Sequence, residues 1–171
     1  VDEAVHPGVL TRSEMTDIRV VLVTGRAHPK HTEGGDFRQA TYRAVRQGLM
    51  KLLENNNCRL LEPYYSYTLS LPETYVGKAM TDINAGFGTC NISEVDNQSK
   101  TTILTGRAPA SVMNDYAKEL KAYTKGLGEL TFTLSGYDLC HNEDEVLENS
   151  KYDPDKDMRN PSSSVFCSHG T

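Results

Sequence analysis

At 171 residues, with 37% hydrophobic and 24% charged residues, the chain has room for one medium domain or two small ones, in the composition of a soluble globular protein. No window approaches the ~18 consecutive apolar residues of a membrane span. The N-terminus, Val1-Asp2-Glu3-Ala4-Val5, lacks an initiator Met, a basic start and the apolar core of a secretory signal, so a piece of a longer cytoplasmic protein is expected.

The net charge of −5 conceals an uneven distribution. Between Arg12 and Arg59 nine basic residues face five acidic ones, a balance of +4; from Asp138 onward three bases face eight acids, a balance of −5. A basic front and an acidic tail suit a protein that meets nucleic acid at one end. The four cysteines, Cys58, Cys90, Cys140 and Cys167, are widely spaced and outside any CxxC motif, which points to reduced thiols.

The first part of the chain, residues 1–61, reads as strand, loop and helix, a partial βαβ-type domain. Ile18 to Val23 is a near-continuous apolar run, expected to be a strand buried on much of both faces. After a loop from Gly25 to Gly35, Asp36-Phe37-Arg38-Gln39 has the pattern of a capping box with Asp36 at the N-cap. The helix that follows would bury Phe37, Ala40, Ala44, Val45, Gly48, Leu49 and Leu52, leaving Gln39, Arg43, Arg46 and Met50 on the polar face.

Residues 62–138 have a cleaner pattern. Tyr65, Tyr67, Leu69 and Leu71 alternate with Tyr64, Ser66, Thr68 and Ser70, a half-buried strand. Val76, Ala79, Met80 and Ile83 keep helical spacing up to a stop at Gly86. Thr89 to Val95 and Lys100 to Gly106 form a hairpin around Asp96-Asn97-Gln98-Ser99. Met113, Tyr116, Ala117, Leu120 and Tyr123 make a second helical stripe closed by Gly126, and Leu130, Phe132 and Leu134 alternate in a last strand. The order βαββαβ predicts an α+β, ferredoxin-like domain. Residues 139–171 are an acidic extension with a short helix from Glu143 to Asn149.

Specific residues carry a resemblance. Leu60-Leu61-Glu62-Pro63, Pro72-Glu73 with Tyr75 and Gly77, Asp82, Gly88, Tyr116, Leu120, Thr124-Lys125-Gly126 and Tyr137 fall in the order seen in the C-terminal domain of elongation factor G and its relatives. Thr16-Asp17-Ile18-Arg19-Val20, followed by Ala27-His28 to Asp36-Phe37-Arg38, resembles the end of the preceding domain. Asp36-Phe37-Arg38 is most similar to the tetracycline-resistance ribosomal protection proteins. The resemblance covers roughly Thr11 to Tyr137.

It implies a ribosome-binding part of a translational GTPase, with ribosomal RNA as partner and neither DNA nor a membrane. GTP and Mg belong to an N-terminal domain outside this sequence, which has no G-x-x-x-x-G-K-[ST] loop and no cofactor of its own. The loop at the ribosome-facing tip would be His28-Pro29-Lys30-His31-Thr32, where imidazoles donate or stack and a Lys meets phosphate. Arg43 and Arg46 are further phosphate candidates. Two departures stand out: the tip differs from that of the resistance proteins, and uncharged Ala85-Gly86-Phe87-Gly88 stands where elongation factor G has an arginine pair near large-subunit RNA.

Two other readings compete. Cys140, His141, Cys167 and His169 supply the number and type of ligands for tetrahedral zinc, which would make the tail a metal-stabilised interaction module. The spacing is poor, because the adjacent Cys140 and His141 point apart in an extended chain. A ferredoxin-like domain also serves elsewhere as a small-molecule regulatory module. Asp153, Asp155 and Asp157 lack the Gly and Glu of a calcium loop and read as a solvated turn.

Overall fold

The computed structural model describes residues 1–30 and 32–163. They form two compact units, one of residues 1–59 with residues 142–163, the other of residues 60–141. The acidic segment thus folds with the first 59 residues.

Helix α1 (Gly34–Glu54) belongs to the first unit, and in the second the elements run β1 (Leu61–Pro72), α2 (Val76–Ala85), β2 (Asn91–Asp96), β3 (Thr101–Pro109), α3 (Ala110–Tyr123) and β4 (Glu129–Leu139). The sheet order is β2-β3-β1-β4 and every neighbouring pair is antiparallel, which is the ferredoxin-like arrangement. Alternation in β1 places Tyr67, Leu69 and Leu71 in the core, where they meet Ala79 and Ile83 of α2, Leu104 and Ala108 of β3, and Met113, Tyr116 and Leu120 of α3. The hairpin turn is built by Asp96, whose carboxylate accepts from Gln98 N–H at 2.8 Å and Ser99 hydroxyl at 2.7 Å. Those bonds hold its pKa below the usual carboxylate range.

Helix α3 closes through Thr124, which is fully buried: its hydroxyl donates to Leu120 O at 2.6 Å and accepts from Gly128 N–H at 3.0 Å. Gly126 follows at φ +82, as a left-handed stop requires. Gly86 also ends its helix, but at φ −84. Its need is close approach, since a Cβ there would lie 2.5 Å from Val112 Cγ1. On β4 the alternating apolar residues are less covered than on β1: Phe132 stacks on Tyr65 at 4.5 Å, yet Leu134 is 58% exposed.

In the first unit, α1 spans Gly34–Glu54 and α4 spans Glu143–Ser150. Pro7 bridges Glu14, Gly8 N–H donates to Ser13 O at 2.7 Å, and Val9 within this turn is buried. Three expectations change here. Ile18 to Val23 forms no strand, and Leu22 is 88% exposed. Apolar β-branched residues favour an extended chain, but a strand exists only beside a hydrogen-bonded neighbour, and the described residues provide none. Helix α1 begins earlier than expected, with Glu33 as N-cap and Asp36 inside the first turn, its carboxylate accepting from Glu33 N–H at 2.9 Å. The buried face is also rotated: Leu49 and Arg46 are the buried residues, while Phe37 is half exposed.

Candidate nucleic-acid interface

Local bonds shape the loop before α1. His28 N–H donates to Thr32 Oγ1 at 2.7 Å, and Thr32 N–H returns to His28 O at 3.1 Å, closing a single tight turn. Lys30 N–H donates to His28 Nδ1 at 3.3 Å. In the neutral imidazole the proton therefore sits on Nε2. Pro29 and Lys30 are exposed at the apex, Thr32 is half-buried, and His31 lies outside the described residues. The helix behind this loop is no phosphate cradle, because the carboxylates of Glu33 and Asp36 occupy its first turn and repel an anion. Lys30 is the cation the loop presents.

The two arginines expected to meet phosphate are turned to other work. Arg43 Nη1 donates to Ser163 O at 2.9 Å and Ser163 Oγ at 2.7 Å. Arg46 is 3% exposed, so a phosphate cannot reach it in this conformation. Its Nη1 donates to Pro7 O at 3.2 Å, and its Nη2 to Tyr152 OH at 2.8 Å and Pro154 O at 3.2 Å. Helical spacing alone placed Arg46 on a polar face; folding the C-terminal segment onto that face buries it.

Behind Tyr152 stands Asp157, which accepts from the Tyr152 hydroxyl at 2.8 Å, Asn160 Nδ2 at 3.0 Å and Arg159 N–H at 3.1 Å, with Arg12 Nε 3.7 Å away. These donors, the Asn160 amide foremost, hold its carboxyl down at about 2. Its side chain is almost fully buried, so the reading of a solvated turn does not apply to Asp157. Asp153 instead caps the short turn Pro154–Lys156, accepting from Asp155 N–H. Tyr152 and Pro154 were missed as partners of Arg46 because they lie more than a hundred residues along the chain.

Of the zinc candidates, Cys140 and His141 end the second unit, while Cys167 and His169 lie outside the described residues. Glu62 Oε1 accepts from His141 N–H at 2.7 Å and contacts His141 Nδ1 at 2.6 Å. The imidazole also packs on Phe87, 4.9 Å between ring centres. Among the described residues no group of three or more His, Cys, Asp or Glu is placed to hold a metal. Phe87 itself is 62% exposed with φ +60, an aromatic carried on a left-handed residue where a charged pair was the comparison.

The comparisons with known proteins follow the same division. Residues 1–52 match the model for elongation factor G, domain IV, and residues 59–146 match that for the elongation factor G C-terminus. Elongation factor G 2 of Streptomyces coelicolor is 31% identical over 135 residues, which is 79% of this chain and 19% of that protein. A crystal structure of a protein from Thermus thermophilus aligns with a TM-score of 0.47 at 22% identity, over 54% of this chain and 14% of its own. The chain spans about a fifth of the length of the curated relative it matches. With a domain IV match in front and more than half the chain under the C-terminal model, the chain belongs to the elongation factor G family.

Proposed function

We propose that this chain is a ribosome-docking region of a translational GTPase, making contact with ribosomal RNA through the loop at residues 28–32, in the cytoplasm, while GTP and Mg are handled by a domain outside these residues. The observation that carries the reading is the loop itself. It is closed by its own hydrogen bonds, exposed at its apex, and presents Lys30 beside the His28 imidazole. A preformed turn loses little entropy on binding, and a Lys at its tip meets a phosphate without desolvating a partner.

The test is ribosome binding across a salt series with Lys30→Ala. One lost phosphate contact should lower the slope of log affinity against log salt by about 0.7–0.9. An unchanged slope removes Lys30 from the interface.

A narrower reading is release of tetracycline from the ribosome, for which Asp36-Phe37-Arg38 speaks. Asp36, in the first turn of α1, accepts from the N–H of the N-cap Glu33, and Arg38 pairs with Glu3 at 2.6 Å, so both have structural work. Growth in tetracycline of cells expressing the protein decides it, and no gain in resistance leaves only the broader reading.

A further inference from the structure

Loop 28–32 runs directly into α1, so whatever fixes the shaft of that helix fixes where the loop points. Only Leu49 and Arg46 of α1 are buried, a thin apolar contact for a helix of 21 residues. From Gly34 to Arg46 the helix advances roughly 18 Å at the α-helical rise. The Arg46 guanidinium, at that distance, ties two separate stretches of chain to the helix through three acceptors: the turn at Pro7, and the segment 152–154 at the Tyr152 hydroxyl and the Pro154 carbonyl. Tyr152 passes the bond on to Asp157, which Arg12 and Asn160 hold in turn.

We infer that Arg46 is a positioning residue for loop 28–32, acting with Tyr152 and Asp157 as a brace by which the C-terminal segment clamps α1 from the side. The planar fork of arginine is what the site needs. Its two terminal nitrogens reach three acceptors in fixed directions, whereas a lysine ammonium on a flexible stem would satisfy one or two and leave buried carbonyls unpaired. The acidic extension is then a structural part of the tip-bearing unit, and its contribution to binding passes through geometry rather than through charge. The purpose assigned to the loop rests on the RNA-contact reading above; the brace itself does not.

The experiment uses the whole protein carrying Tyr152→Phe, Arg46→Met or Arg46→Lys, with hydrogen exchange read by region and ribosome binding read across salt. Tyr152→Phe, the mildest change, should speed exchange in α1 and the loop by severalfold and leave residues 60–141 unchanged. Ribosome affinity should fall severalfold with the salt slope unaltered, and Arg46→Lys should fail to rescue what Arg46→Met loses. Unchanged exchange in α1 overturns the brace. A slope that drops by about 0.7–0.9 with Arg46→Met overturns it as well, because Arg46 would then be touching phosphate directly. Faster exchange with full affinity overturns the positioning role. Lys30→Ala run alongside separates the two readings: if it too leaves binding untouched, the RNA-contact reading has failed, and exchange alone judges the brace.

Discussion

In residues 60–141 the side chains removed from water are almost all apolar, drawn in turn from two strands and two helices until they touch one another. In residues 1–59 with the acidic segment, a single long helix meets irregular chain, and the residue at the centre of the contact is an arginine. The first arrangement is stabilised by area and packing, which any well-shaped apolar side chain supplies. The second depends on directed hydrogen bonds from one guanidinium, each requiring a particular acceptor in a particular place. Family matches fall on both units, at residues 1–52 and 59–146, yet their tolerance to substitution should differ sharply.

The largest effect is expected where packing is tightest. Leu69→Ala, at a side chain with no exposure, should cost about 2–5 kcal/mol in urea-induced unfolding of residues 60–141. If α1 exchanges faster as well, the two units are not independent folding entities. Next comes Arg46→Met, which leaves the Tyr152 hydroxyl and the Pro7 and Pro154 carbonyls without their donor. It should cost about 2–3 kcal/mol, read as accelerated exchange confined to residues 28–54 and 152–157. A cost below about 0.5 kcal/mol would make the buried arginine no different from an apolar filler.

Acid separates the units by another route. The carboxyl of Asp157 titrates at about 2 in the fold against 3.8 as its ordinary value. A depressed pKa means a contribution present above the ordinary value and lost as pH falls through the folded one, so the brace should weaken between pH ~4 and ~2. Asp157→Asn should flatten that loss, seen as exchange in α1 that no longer changes over the window. The smallest effect is Phe37→Ala: on the face of α1 that sequence spacing assigned to the core, but half exposed, it should change stability by less than about 1 kcal/mol. A larger penalty would mean that this face is covered in solution.

How much could be read beforehand differs between the units for the same reason. The second unit was legible because its signals are local: alternation of Tyr65, Tyr67, Leu69 and Leu71 decides which face of β1 is buried, and Asp96 with Ser99 decides the hairpin. The sheet order then follows from few permitted topologies. In the first unit Ile18 to Val23 has the composition of a strand, but pairing is not a property of the run itself. Arg46 has the composition of a surface residue, yet its environment is made by Tyr152 and Pro154, far along the chain.

Residue pattern alone was sufficient for the ferredoxin-like order of elements, for the core of β1, α2 and α3, for the hairpin turn, and for a loop ahead of α1. Tertiary structure decided which face of α1 is buried, that Arg46 is buried with its guanidinium bonded to Pro7, Tyr152 and Pro154, and that the acidic segment folds with the N-terminal residues. Periodicity reports how a segment divides between water and interior when its own neighbours form the interior. It carries no record of a distant segment that arrives with hydrogen-bond acceptors and turns a charged face into a buried one.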